Sequence, residues 1–224
     1  MNARVEALLR EARAVGWVME PAAREILASY AVPVGRHLVA TRWEEAIAGA
    51  ASLGWPLVAK VVSPEIVHKA DVGGVIVGIT GEAALRAAWD HLSALPAFAG
   101  VLLDEQHTMG VELIVGVKID PAFGPVVMVG LGGTAVELYR DVSIRMAPLS
   151  LESAREALAA LKAFPLLTGY RGGQAVDLDA LVELLLAVSE AAMALEDAVE
   201  SLDLNPVFAS ASGAVVADAR LILR

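Results

Sequence analysis

Cysteine is absent from the chain, which removes disulfides, thiolate metal centres and cysteine nucleophiles and agrees with a reducing compartment such as the cytoplasm. A run able to cross a membrane is also lacking. Although 57% of the residues are hydrophobic and the mean hydropathy is +0.61, the longest charge-free stretch, Pro121 to Val136, holds two prolines and four glycines. It falls short of the roughly 18–20 apolar residues that a spanning helix needs, so no membrane association is expected. Met1 to Met19 mixes acidic and basic residues with no apolar core before a cleavage site, and secretion is not expected. Basic runs are missing too: 17 Lys and Arg stand against 27 Asp and Glu, a net charge of −10, which argues against nucleic acid as a partner. A nucleotide site stays compatible, because a few cations, backbone amides and Mg2+ act locally on an acidic surface.

What is present is ample apolar material for a core. With 224 residues the chain can form one domain or two subdomains around a shared cleft. Its alanine and valine point to a well-buried α/β core and a subunit interface. Helical spacing is expected over Arg4–Arg13, from Pro21 to Ala28, over Trp43–Leu53 with Thr41 as its cap, and over Glu82–Leu95, Leu151–Lys162 and Leu178–Val199. Strands are expected at Val32–Val34, Arg36–Ala40, Pro56–Val62, Gly74–Ile79, Val101–Glu105, Val111–Ile119, Pro125–Val129, Ser143–Pro148, Asp203–Phe208 and Ala214–Leu223. Pro96 and Gly100 mark the expected boundary between subdomains. The order of elements reads as α+β (α/β), two layers facing one cleft.

The chemistry concentrates in Lys60-Val-Val-Ser-Pro-Glu-Ile-Val-His68-Lys-Ala-Asp71-Val-Gly73-Gly74-Val75, where an apolar strand runs into a loop with a histidine and a glycine pair. Lys60 projects an ammonium, Gly73 and Gly74 let backbone N–H groups approach anionic oxygens, and His68 can accept or relay a phosphoryl group. Alternatives stand beside these roles: a snorkelling edge-strand lysine for Lys60 and a surface loop histidine for His68. Asn205 and Asp218 sit in or beside apolar strands whose antiparallel pairing can bring their oxygens together, a hard-ligand set suited to Mg2+; an Asn-Pro turn and a solvated aspartate are the bland reading. Asp203 lies two residues before Asn205 and shares its face. Gly130 to Gly133 has Gly-x-Gly-Gly spacing, without the βαβ context of a dinucleotide fingerprint.

The wording of that stretch, with Gly110-Val-Glu-Leu-Ile-Val-Gly116, Asp120-Pro-Ala-Phe-Gly-Pro-Val-Val-Met128, Asp141-Val-Ser-Ile-Arg145, Gly169-Tyr-Arg-Gly172, Leu202-Asp-Leu-Asn-Pro-Val207 and Ala217-Asp-Ala-Arg220, resembles the ATP-grasp (beta) subunit of ADP-forming acyl-CoA/acetyl-CoA synthetases. The resemblance runs from about Glu20 to Leu223. It implies an ATP-grasp fold with nucleotide in the cleft between two subdomains. The division expected is a helical extension at 1–19, a small α/β lobe with the phosphate loop at 20–98, and a sheet-and-helix lobe with the Mg2+/nucleotide site at 99–224.

The resemblance also implies roles. His68 corresponds to a phosphoryl carrier loaded from a phosphohistidine on a partner, and Asp203 to an acidic residue approaching that phosphohistidine. Lys60, Gly73, Gly74 and Val75 fall at the nucleotide, Glu105 at the adenine hinge with Asp104 where glutamine is usual, and Glu112 near ribose. Asn205 and Asp218 match the Mg2+ ligands, Glu137 and the Gly130 loop lie near the active region, and Arg145 and Arg171 supply cations for phosphate or the partner's loop, a surface ion-pair role standing equally open. Ala70 replaces the usual serine.

The activity implied is acid + CoA + ATP = acyl-CoA + ADP + phosphate, with ATP/ADP and Mg2+ as cofactors and a CoA-binding alpha subunit as hetero-oligomeric partner, because this chain carries no CoA-binding module of its own. The alternatives are the nucleotide half of a succinate-type CoA ligase and a nucleotide-sensing subunit without turnover.

Overall fold

The computed structural model describes residues 1–107, 110–133 and 141–224. The chain divides into two compact units, one of Met1–Val34 with Met109–Arg224 and the other of Gly35–Thr108.

In the larger unit, helix α1 (Ala3–Ala12) starts at Asn2, whose side chain accepts the Val5 N–H at 2.8 Å, and buries Val5, Leu8 and Leu9 along one stripe. Strand β1 (Trp17–Val18) and helix α2 (Glu20–Ala28) follow, the helix opening with Pro21 in its first turn. Strands β6 (Val111–Asp120), β7 (Gly124–Leu131), β8 (Val142–Met146), β9 (Val199–Ser210), β10 (Gly213–Val216) and β11 (Ala219–Leu223) join β1 in an antiparallel sheet. Its order is β1-β11-β9-β6-β7-β8, with β10 also on β9.

Strand alternation decides what each face carries. Leu113, Val115, Val117 and Ile119 of β6, Val127 and Val129 of β7, Leu202, Leu204, Val207 and Ala209 of β9, and Ala219 and Leu221 of β11 enter one core. Helices α1, α2, α5 (Leu151–Ala159), α6 (Phe164–Leu167) and α7 (Leu178–Leu195) bury residues in that same core. In α7 alone, Leu181, Leu184, Leu185 and Val188 are essentially inaccessible, each worth roughly 1.5–3 kcal/mol. Gly116, Lys118, Met128, Asp203 and Arg220, which alternate with these positions, belong to the opposite face.

The smaller unit comprises β2 (His37–Ala40), α3 (Trp43–Leu53), β3 (Leu57–Val62), β4 (Val75–Ile79), α4 (Glu82–Ser93) and β5 (Gly100–Glu105). Its antiparallel sheet has the order β2-β5-β3-β4. Leu57, Ala59, Val61, Val101 and Leu103 face a core closed by α3 and α4, where Trp89 meets Trp43 and Phe98 edge-on at 6.2 and 5.8 Å. No helix among the described residues is long and apolar enough to cross a membrane.

Several boundaries differ from the sequence reading. The break expected at 98/99 is only the turn between α4 and β5, with Ala97 and Gly100 at positive φ. Because Val101 and Leu103 pack in the smaller core, β5 belongs to the smaller unit, whereas residues 1–34 join the larger one through pairing of β1 with β11 and packing of α2 on β11. Helix α5 stops at Ala159; the Asp141 carboxylate accepts the N–H groups of Lys162 and Ala163 at 2.8 and 2.7 Å, and Pro165 sits in the first turn of the separate α6. The expected strand Ala214–Leu223 is two strands, interrupted at Ala217 and Asp218.

Thr41 does not cap α3; Arg42 holds that position. Glu45 instead reaches back, its Oε2 accepting the Thr41 N–H at 2.9 Å and the Thr41 hydroxyl at 3.0 Å, while Oε1 pairs with Arg42 at 2.6 Å. The Thr41 backbone hydrogen bond, then those from the Arg42 and Thr41 side chains, pull the Glu45 carboxyl down to about 2 from its ordinary 4.5. Since the folded value is the lower one, the contribution to stability is complete above about pH 4.5 and is lost as pH falls towards about 2. Following the Glu45 carboxyl by NMR is expected to give a midpoint far below that of a free glutamate, and Glu45→Gln is expected to flatten the acid limb of the stability curve; an ordinary midpoint refutes the assignment.

Candidate functional site

Lys60 lies on β3, between β5 and β4, so it is not an edge-strand lysine. Alternation turns Ala59 and Val61 into the helix-covered core and Lys60 to the other face, where Val58, Val62, Val75 and Leu102 surround it by register. Its ammonium is 2.9 Å from Asp104 Oδ2, and the two side chains are only 6% and 7% exposed. The pair is diagonal across the ladder, since Val58 opposes Asp104 and Lys60 opposes Leu102. This face therefore offers an apolar floor suited to a flat base beside a fixed ammonium suited to an anionic oxygen.

His68 is exposed, on the stretch between β3 and a 3-10 turn at Ala70–Val72. The stretch is pinned on both sides. Ile66 is buried in the smaller core, and the Ser63 hydroxyl donates to the Pro96 carbonyl at 2.8 Å. On the far side the Gly74 N–H donates to Lys69 O at 2.7 Å, and Gly74 O accepts the Val61 N–H at 2.9 Å. A Cβ on Gly74 would stand 2.8 Å from Lys69 O and 2.7 Å from Val61 Cγ1, so the close approach requires glycine. Gly73 takes the left-handed conformation at φ +68°, and its carbonyl meets His91 Nε2 at 3.1 Å. Lys60, His68, Gly73, Gly74 and Val75 are thus gathered on β3, β4 and the loop joining them. Glu105 closes β5, where its N–H donates to Arg36 O and its carboxylate stands 3.7 Å from the Arg36 guanidinium.

In the larger unit, Asn205 and Pro206 make no turn; they lie inside the twelve-residue β9. Pro206 has no N–H for the ladder, and the register between β6 and β9 slips there: Leu113 opposes Val207 but Val115 opposes Leu204. On the other side of β9, Leu204 opposes Ala219, so Asn205 falls opposite Asp218, and the Asn205 N–H donates to Asp218 O at 3.2 Å. Asp203 opposes Arg220 on β11, with Oδ2 3.1 Å from Nη2, and Gly116 on β6. Glu112 lies at the start of β6, its carbonyl accepting the Gly132 N–H at 2.7 Å; a Cβ on Gly132 would sit 2.8 Å from Glu112 Cγ, which ties the glycine loop closely to that residue.

The amide oxygen of Asn205 and the Asp218 carboxylate are hard donors on neighbouring residues of one ladder, a chemistry that fits Mg2+. Among the described residues no group of three or more His, Cys, Asp or Glu gathers as a metal cage. Two protein oxygens suit an ion whose other ligands arrive with nucleotide phosphates and water.

Arg145 opposes Val127, a core-facing residue, and its Nη1 donates to Ser143 Oγ at 3.0 Å and Ile144 O at 2.9 Å; alternation turns it away from the face of Asp203. Arg171 has a left-handed backbone, φ +52° between Gly169 and Gly172, with its guanidinium 5.3 Å from the Tyr170 ring centroid. Glu137 lies outside the described residues.

The sequence reading missed Asp104 as the partner of Lys60 and Arg220 as that of Asp203. Both follow from antiparallel register, which becomes readable only when the paired strands are known. Removing one member of a buried pair leaves the other charge uncompensated, so Asp104→Asn is expected to destabilise the protein by about 3–5 kcal/mol. Lys60→Met with Asp104→Leu should regain most of that in denaturant titrations while nucleotide affinity stays low. Equal stability of the single and double variants contradicts the pairing.

Residues 9–223 match the model of the ATP-grasp domain. The beta subunit of an ADP-forming acetate–CoA ligase I from Pyrococcus furiosus is 40% identical over 213 residues, covering 92% of this chain and 91% of that protein. An acetyl-coenzyme A synthetase 1 chain of Ca. Korarchaeum cryptofilum, in complex with coenzyme A, Ca-AMPCP and HgCl+, superposes with a TM-score of 0.91 at 41% identity over 98% of this chain and 99% of that one. A further structure of that enzyme, with coenzyme A and Mg-AMPPCP and its phosphohistidine segment pointing towards the nucleotide-binding site, has a TM-score of 0.87 at 41% identity, covering 98% and 100% of the two chains. Taken with the two antiparallel sheets and the residues they present, these similarities establish that the chain belongs to the ATP-grasp family, within the group of beta subunits of ADP-forming acetate–CoA ligases.

Proposed function

We propose that this chain moves a phosphoryl group between ATP/ADP and a protein histidine, as the nucleotide-binding half of an acid–CoA ligase of the ADP-forming type. The observation that carries the reading is His68, exposed on a loop between two anchors, in the same unit as the ammonium of Lys60. On the smaller unit Lys60, Gly73, Gly74, Val75 and Glu105 are read as nucleotide-binding residues; on the larger unit Glu112 is read as nucleotide-binding and Asn205 with Asp218 as the Mg2+ ligands. Asn205 and Asp218 would hold Mg2+, which would supply charge neutralisation at the phosphates.

With ATP, a ring nitrogen of His68 attacks the γ-phosphorus, the bond from that phosphorus to the β,γ-bridging oxygen breaks, and ADP leaves. In the other direction the ADP terminal oxygen takes the phosphoryl group and the imidazole is released. Lys60 orients the phosphates, whereas the N–H groups of Gly73 and Gly74 donate within their own turn, to Ala70 O at 3.2 Å and Lys69 O at 2.7 Å, so the glycine pair shapes the loop rather than donating to the transferred oxygens. The second transfer passes the group between His68 and a histidine of a CoA-binding alpha subunit, in a cytoplasmic hetero-oligomer, and Asp203 is the acidic residue read as meeting that partner histidine. Carrier duty requires the segment around His68 to move.

His68→Ala is expected to leave Mg·ADP affinity within about twofold while abolishing 32P transfer from ATP to this chain and turnover of the reconstituted complex; retained turnover removes the carrier role. Asp218→Asn is expected to weaken Mg·ADP binding by calorimetry about tenfold or more, and unchanged affinity takes Asp218 out of the metal site. A succinate-type ligase differs by the acid it consumes, and a nucleotide sensor leaves His68 unlabelled.

A further inference from the structure

Helix α2 buries two opposite charges. Arg24 has no accessible surface and Glu20 retains 4%. One turn apart, Arg24 Nη2 donates to Glu20 Oε1 at 2.6 Å and Nε to the same oxygen at 3.1 Å. Such a pair is rarely a net gain over apolar side chains of similar size, because desolvating both charges offsets their attraction. Its geometry gives it another use, since Arg24 Nη2 also donates to the carbonyl of Ala217.

Ala217 precedes Asp218 at the break between β10 and β11. Pro206, opposite this break, offers a carbonyl but no N–H, so the ladder is incomplete on that side. The segment is held by other means: the Val216 N–H donates to Pro33 O at 2.8 Å, the Ala217 N–H to Pro206 O at 3.0 Å, and Asp218 O accepts the Asn205 N–H at 3.2 Å. Arg24 completes the set by fixing the carbonyl that belongs to the Ala217–Asp218 peptide. A guanidinium does this with a charge-assisted bond of fixed direction, and Glu20 fixes the guanidinium.

We propose that Arg24, oriented by Glu20, is a positioning residue that sets the Ala217–Asp218 peptide and thereby aims the Asp218 carboxylate, beside Asn205, at the magnesium of the bound nucleotide. The inference rests on reading Asn205 and Asp218 as the oxygen ligands. A pair with only a structural role lowers stability and leaves the affinity of the folded protein for Mg·ADP unchanged. An aiming pair shifts that affinity while the fold persists.

The test compares the full chain with Glu20→Gln/Arg24→Met, which removes both charges so that neither is buried alone, with Arg24→Lys, with Asp218→Asn, and with the triple variant. Calorimetry with Mg·ADP and with ADP in EDTA is read together with amide hydrogen exchange at Asn205 and Ala217. The double variant is expected to lose about tenfold in Mg·ADP affinity, to bind metal-free ADP as the wild type does, and to exchange both amides faster. Arg24→Lys should fall between, and carries the comparison if the double variant does not fold. Added to Asp218→Asn, the double change should cost no further affinity, because the ligand it aims is already gone. Wild-type Mg·ADP affinity in the double variant or Arg24→Lys, with Asp218→Asn weakened, overturns the positioning role and spares the ligand assignment, as does a fully additive triple variant. Wild-type affinity in Asp218→Asn overturns the ligand assignment and the positioning role with it.

Discussion

Both sheets are built so that helices close one face, and the period of two along each strand then decides which side chains meet the other. On β9, Leu202 and Leu204 are fixed in the core, so Asp203 must emerge opposite them. The same rule places Lys60 between Ala59 and Val61. A slip of one residue in either strand would bury the polar groups and expose the apolar ones, so the hydrophobic cores also hold the site in register. At Pro206 the rule is locally suspended. The slip between Leu204 and Val207 lets β9 return its apolar residues to the core while Asn205 stays exposed beside Asp218.

Among the described residues, the buried pairs Lys60–Asp104 and Glu20–Arg24 each sit beside a backbone or candidate ligand position. Lys60 and Asp104 connect β3 to β5 on the face opposite the helices. Glu20 and Arg24 connect α2 to the break in front of Asp218. Neither pair is needed to fill space, since apolar side chains pack as well. Their shared feature is direction, which a hydrogen-bonded ion pair provides and dispersion does not. An overall charge of −10 is compatible with phosphate chemistry, because a few fixed cations act locally.

Periodicity made most elements legible, from the stripe Val5, Leu8 and Leu9 to the apolar runs of β3 and β6, because burial on one face leaves a repeating signature. The unit boundary was not legible. Pro96 and Gly100 punctuate the chain, but a turn inside a unit uses the same residues as a linker between units, and only the burial of Val101 and Leu103 distinguishes them. Candidate site residues could be named where a motif is continuous, as from Lys60 to Val75, and where the chain resembles a known family. Asp104, Arg24 and Arg220 were not, since each acts across strands or from a helix distant in sequence. Arg145 illustrates the converse: its motif drew attention, yet its position on β8 turns it towards the core side.

The anchors around His68 set how far its imidazole can travel. Ile66 is held in the smaller core, and the Lys69 carbonyl is bonded to Gly74, which is packed against Val61, so only residues 67 and 68 lie between the anchors. His68 is two residues beyond Ile66, so at about 3.3–3.6 Å per extended residue its backbone stays within about 7 Å of that anchor. The hydrogen bond between Gly73 O and His91 Nε2 restrains the other end. A longer excursion has to pull Ile66 out of the core, at a cost of roughly 1.5–3 kcal/mol. The carrier role proposed for His68 therefore requires either that the partner's segment come to His68 or that its binding compensate the exposure of Ile66.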